Sequence, residues 1–202
     1  EGFAAAMAQG GTIRAYQLNY PWVVNNDPCL TGITFNTMVE PFNNKEVRWA
    51  LVLAIDIVEY LAQAVDGQAT LSPVHVPHLG AYPEYYIEPM QEWLKSFALD
   101  LGDGELFYPY DPDAALKIAE YARQRGHKVS DDPEEIKHTF GLGWYKYAPD
   151  VAEKLLIKNG FSRDANGRWL LPDGTPWKIQ ITDINDVGHH QFKNGNAAVQ
   201  QW

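Results

Sequence analysis

The sequence predicts an α/β fold, a mixed sheet flanked by helices, and three observations carry that prediction. Apolar residues recur at helical spacing over about 44–66, behind Asn43 and Glu46, a polar cap followed three residues later by an acid. Residues 161–182 alternate with period two around Asn166-Gly167 and Asp173-Gly174, dipeptides that favour tight hairpin turns. Between these regions two helical stretches begin alike, each with an aromatic cluster and a proline and each closed by a glycine. A chain of 202 residues that is 46% hydrophobic and 21% charged can bury a sizeable core, so one folded unit is expected over 1–202.

Taken in order, residues 12–36 read as strand, loop, strand. Ile13 to Leu18 and Ile33 to Asn36 are β-type runs, and the Asn-, Asp- and Pro-rich middle favours turns. The central helix over 44–66 places Val47, Leu51, Ile55, Val58, Ala62 and Val65 on one stripe. Trp49, Val52 and Leu53 make much of its other face apolar too, as in a helix covered on most sides, and Gly67 closes it. Pro73, Pro77 and Pro83 without a sustained period predict irregular chain to about 86, then a short helix over about 89–97.

The two like-starting helices follow Tyr108-Pro109-Tyr110-Asp111-Pro112 and Trp144-Tyr145-Lys146-Tyr147-Ala148-Pro149; between them Asp132-Pro133-Glu134-Glu135 starts a third. The aromatic residues at both starts are expected to pack where the helices begin. A hairpin or meander follows over 161–182, and the last residues, Asn194 to Trp202, read as the opening turns of another helix. That helical pattern reaches the final residue, and the chain begins at Glu1 rather than Met, so a fragment of a longer protein is expected.

Charge and composition exclude several function classes. A net charge of -10 repels phosphate backbones and anionic membrane surfaces, so nucleic acid is not an expected partner. Cys29 is the single cysteine, which rules out an intrachain disulfide and a multi-thiolate zinc site. No apolar run approaches the roughly 20 residues a bilayer-spanning helix needs, and the opening residues lack the basic region of a signal peptide.

Signals for bond-breaking chemistry are weak. His75 and His78 have metal-pair spacing, but flanking prolines argue against helical presentation and no third ligand is evident. Asp111, Asp113, Asp131, Asp132, Glu134 and Glu135 coincide with helix first turns, where acids favour the macrodipole. Ser72, Ser96, Ser130 and Ser162 lack a Gly-x-Ser-x-Gly context, and Gly141-Leu142-Gly143 lacks the rest of a dinucleotide fingerprint. No catalytic residue, metal or cofactor is expected, and the protein is not expected to be an enzyme.

One stretch is specific. Phe35, Asn36, Pro41, Phe42, Val47, Arg48, Ala54, Ile55, Asp56 and Gly67 resemble a signature of the family 5 extracellular solute-binding proteins, the peptide- and oligosaccharide-binding subunits of ABC importers. A second match is split: Tyr110, Asp111 and Pro112 stand at the first helix start, while Leu155, Leu156, Gly160 and Phe161 stand at the end of the second helix. Ala148 takes the place of the usual aspartate at the second start, and the region between His78 and Gly160 is longer than the common pattern. The resemblance spans 12–202 and implies one lobe, the C-terminal one, of a two-lobed periplasmic or extracellular clamp. The implied partners are a peptide or oligosaccharide and a membrane permease, and the intact protein is expected to be a monomer.

In open α/β sheets ligands gather beyond the carboxyl ends of strands, which points to the loop after Trp177 to Thr182; the family resemblance points there too. Asp183 and Asp186 are suited to an ammonium group, and Asn185 and His189 to amides or sugar hydroxyls. A second candidate surface is Tyr20, Trp22, Asn25 and Asn26, where Trp22 can stack on a ring. The plain alternatives are a solvated polar loop and aromatics packed on the core. Two rival functions remain at this stage, a carbohydrate-active hydrolase with paired carboxylates and a stand-alone interaction domain.

Overall fold

The computed structural model describes residues 5, 6, 8–10 and 30–202. Thus Cys29, the first predicted strand over 13–18 and the loop carrying Tyr20, Trp22, Asn25 and Asn26 lie outside the described residues. Residues 33–36 carry no strand ladder. Phe35 instead stacks on Phe42 with ring centroids 5.6 Å apart and stands 6.2 Å from Trp202.

The helix expected over 44–66 is two helices, α1 (Lys45–Leu53) and α2 (Ile57–Val65). Asn44, not Asn43, caps α1, accepting from the Glu46 N–H at 2.9 Å, so Glu46 stands two residues past the cap rather than three. Arg48 donates to the Phe42 carbonyl and, at 3.0 Å, to the Asn43 carbonyl, so the arginine of the signature ties the preceding turn to α1. The break falls at Asp56, whose backbone is extended and whose carboxylate accepts from the Val58 and Glu59 N–H groups at 3.0 and 3.3 Å, starting α2 afresh.

Groups from distant elements satisfy the backbone at this junction. The Leu53 carbonyl accepts from the Ala148 N–H at 2.8 Å and the Leu51 carbonyl from the Trp202 indole at 2.9 Å. Gln201 brackets Asp56, accepting from its N–H at 2.7 Å and donating to its carbonyl at 3.3 Å. Carbonyls at a helix end that are not bonded internally need such partners.

The break also explains why this stretch is apolar on so many sides. Val47, Ala50 and Leu53 of α1 pack into one core with Leu99, Val151, Leu155 and Phe161. Tyr60, Leu61 and Ala64 of α2 pack into another with Ile118, Ile136, Phe140 and Ala198. A helical segment that changes cores needs apolar residues in two directions.

The helical segment after the proline-rich stretch starts earlier than expected. A π turn covers Pro83–Ile87 and a 3-10 turn Glu88–Met90 before α3 (Gln91–Ser96). Pro89 has no N–H to give to a regular ladder, which accounts for irregular turns around it. Next comes a hairpin that the sequence reading missed, β1 (Leu99–Gly102) paired antiparallel with β2 (Glu105–Phe107). Its Asp103-Gly104 turn, with both φ angles positive, is the same signal used correctly further along the chain.

The two like-starting segments meet each other. β3 (Tyr110–Asp111) pairs antiparallel with β4 (Trp144–Tyr145), and each leads towards its helix, α4 (Ala114–Gln124) or α6 (Pro149–Lys158). Between them α5 (Pro133–Phe140) is capped by Asp132, which accepts from the Glu134 N–H at 2.9 Å. Ala148 gives α6 no side-chain cap. Its buried backbone N–H serves α1 instead.

Gly141 and Gly143 are explained by close approach. A Cβ on Gly141 would stand 2.1 Å from the Leu71 carbonyl oxygen, with which this residue forms a parallel bridge. One on Gly143 would stand 2.4 Å from the Tyr110 hydroxyl. Both φ angles, +105° and +136°, are ones that side chains rarely tolerate.

The expected hairpin over 161–182 holds β5 (Ser162–Arg163) and β6 (Trp169–Leu170), antiparallel, with Asn166-Gly167 at the turn and a further bridge from Leu170 to Pro176. The Asp164 carboxylate accepts from the Asn166 and Arg168 N–H groups at 2.8 and 2.9 Å. Residues 177–182 form no ladder among the described residues. Period-two alternation marks extended chain, but a strand also needs a neighbour for its N–H and C=O groups. The chain closes with α7 (His190–Gln201), which packs on α2. Helix and strand therefore coexist as expected; the named strands form three two-stranded antiparallel ladders.

Candidate functional site

The described candidates sit together where the chain turns into α7. Asp183, Asn185 and Asp186 are exposed and His189 is half-buried. The loop is shaped by its own side chains: Asp183 accepts from the Ile184 N–H at 2.7 Å and Asp186 from the Gly188 N–H at 2.9 Å. His189 caps α7 through Nδ1, which accepts from the Gln191 N–H at 3.3 Å. The four residues thus lie within seven positions at a helix N-terminus, with two exposed carboxylates.

Tyr60 on α2 is buried. Burial, with Asp183 nearby as a second cause, pushes its phenol up to about 12. The carboxylate therefore stands close to where α2 and α7 pack. No Lys or Arg occurs between Lys178 and Lys193, and none pairs with Asp183 or Asp186 among the described residues. Such a loop offers negative charge to a cation arriving from solution.

A separate cleft of about 330 Å³ opens beside the helix break, lined by Asp56, Asp111, Lys117, Tyr145, Lys146 and Tyr147 among others. Its polar groups already have partners within the fold. Asp111 is buried, accepts from the Asp113 N–H at 3.0 Å and pairs with Lys117. Lys146 donates to the Tyr108 carbonyl at 2.7 Å and lies 5.5 Å from the Phe107 ring, while the Tyr145 hydroxyl donates to the Pro73 carbonyl. Asp183, Asn185, Asp186 and His189 do not line this cleft. The Asp111–Lys117 pair was not foreseen because Asp111 ends β3 and Lys117 lies in α4, six residues on, outside the three- and four-residue spacings that pair side chains within one helix.

The other chemical candidates have structural employment. Trp49 and Tyr145 make an edge-on ring contact at 4.8 Å, Trp144 and Tyr145 lie 5.4 Å apart, and the Tyr110 hydroxyl donates to the Leu142 carbonyl at 2.5 Å, in line with packing at the helix starts. Tyr108 and Tyr147 stay exposed. Of the histidines, His78 has a buried Nδ1 with no partner, and burial, then the nearby His138, holds its pKa below the ordinary imidazole value. Among the described residues no three His, Cys, Asp or Glu side chains come together as a metal site. No described helix is long and apolar enough to cross a membrane.

The family model for bacterial extracellular solute-binding proteins, family 5 Middle, matches residues 14–202. The chain belongs to that family. Comparison with curated proteins and with solved structures returned no match. Membership assigns this family 5 protein a solute-binding role in ABC import. It also gives the signature residues a physical reading: Arg48 fastens the Phe42-Asn43 turn and Asp56 divides the apolar run into α1 and α2.

Proposed function

We propose that this chain forms one lobe of a two-lobed clamp that captures a peptide or an oligosaccharide and delivers it to the membrane permease of an ABC importer. The clamp works as a monomer outside the cytoplasmic membrane, in the periplasm or the extracellular space. The solute-facing surface of this lobe is the 183–189 loop, with Asp183, Asn185, Asp186 and His189. Tyr20, Trp22, Asn25 and Asn26 contribute a second surface.

The observation that carries this reading is the family match across 14–202. Support for the loop comes from its exposure and from two carboxylates with no Lys or Arg partner among the described residues. Of the two solute classes the acids favour the peptide, whose ammonium group a carboxylate can hold. Delivery follows from closure around the solute, the loaded form being the one that docks.

The test is thermal unfolding of the intact two-lobed protein against panels of short peptides and oligosaccharides. A ligand at a hundred times its Kd adds about 2.7 kcal/mol, which is read as a rise in Tm. A rise with peptides that is lost in D183N supports the reading. Panels of both classes that leave Tm unmoved would overturn it.

A further inference from the structure

Gly195 lies six positions into α7 with an ordinary helical backbone. Glycine is the least favourable residue after proline for a helix interior, so its presence there calls for a reason other than backbone geometry. The reason is contact. A Cβ at this position would stand 2.4 Å from Oδ2 of Asp183, 3.5 Å from its Cγ and 3.6 Å from Cγ2 of Ile181. The carboxylate rests against bare helix backbone at the place where α7 has no side chain.

The other carboxylate oxygen is held as well, since Oδ1 accepts from the Ile184 N–H at 2.7 Å. Asp183 is thus located from two sides, by its own loop and by the helix, while the residue remains exposed. A carboxylate ordered before the solute arrives loses less freedom on binding than one that must be immobilised by it.

We propose that Gly195 is a positioning residue for solute recognition: by lacking a side chain it lets the Asp183 carboxylate seat on α7, poised for an ammonium or guanidinium group of the solute. This rests on the 183–189 loop facing the solute. It adds that selectivity for a cationic group depends on a helix residue that itself offers the solute no functional group.

The experiment compares the intact two-lobed protein that contains this chain, as wild type, with G195A, D183N, D183A and the double variant D183A/G195A. Binding is measured by calorimetry with tri-alanine, which carries a free amino group, and with its N-acetylated form. Wild type is expected to prefer the free amine by tenfold or more, and both D183N and G195A to lose that preference. Unfolding midpoints give a readout without ligand: G195A lowers the midpoint when Asp183 is present and raises it in the D183A background, where the helix gains an alanine with nothing to strike.

Three results would overturn the assignment in distinguishable ways. A wild type with no preference for the free amine removes the solute-facing loop and the role of Gly195 with it. Loss of preference in D183N but not in G195A leaves the loop reading intact and removes only Gly195. A midpoint raised equally by G195A in both backgrounds shows that Asp183 does not seat against the helix.

Discussion

Substituting Asp56 by alanine separates one continuous helix from two helices by the sign of its effect. In a continuous helix over 44–66 residue 56 would be interior, and aspartate to alanine would stabilise by roughly 0.5 kcal/mol, because alanine is the better helix former. In the observed structure the same change removes the carboxylate that accepts from the Val58 and Glu59 N–H groups at 3.0 and 3.3 Å. Losing an N-cap costs about 1 kcal/mol. For a chain of this length that lowers Tm by about 2–4 °C.

The Gln201 bracket provides an internal control. Replacing Gln201 by alanine leaves the half-buried Asp56 N–H without its acceptor at 2.7 Å, while the Asp56 carbonyl keeps the Tyr60 N–H at 2.8 Å, a loss of about 1 kcal/mol. Because both changes act on one junction, the double variant is expected to depart from additivity by about 0.5 kcal/mol or more. Urea unfolding followed by far-UV circular dichroism reads both quantities. A D56A variant that is as stable as wild type, or that gains helical signal together with stability, would refute the broken-helix account.

Two further outcomes follow from the packing. Gly141→Ala places a Cβ 2.1 Å from the Leu71 carbonyl oxygen at a φ of +105° and is expected to cost at least about 2 kcal/mol in urea unfolding, whereas Gly32→Ala, with open space around it, stays near wild type. His78, held below the ordinary imidazole pKa by burial and then by His138, binds fewer protons folded than unfolded. Its contribution to stability is therefore fully present above about pH 6.5 and is lost as pH falls from there towards the lowered folded value. The urea midpoint should drop between pH 7.5 and 5.5 by more in wild type than in His78→Gln; equal drops would rule out His78 as the source.

Much of the fold was legible because it rests on local rules. Asp132 caps a helix through a short-range contact, Gly67 follows the end of another, and Asn166-Gly167 turns the last hairpin; the cap of α1 falls one residue past the expected Asn43, at Asn44. The Asp103-Gly104 hairpin carries an equally local signal, an aspartate and a glycine that both take positive φ. The loop candidates 183–189 were placed by their position after an alternating segment; that segment forms no ladder, and the four residues precede and cap α7. What spacing did not reveal was the close contact of Asp183 with Gly195, since the value of a missing side chain depends on what approaches it.

By itself the sequence determined where α5 and α6 begin, which turns are tight, that the chain carries excess negative charge, and which family the signature residues resemble. These depend on hydrogen bonds and backbone preferences within a few residues. Tertiary structure alone decided that the apolar run over 44–66 is divided at Asp56 and sent into two cores, and that Gly141 and Gly143 are there for close approach. The division at Asp56 involves Gln201, Trp202 and Ala148, residues 92 or more positions away, so no local pattern could announce it. A backbone that leaves its helix needs partners for the groups it exposes, and only the folded chain supplies them.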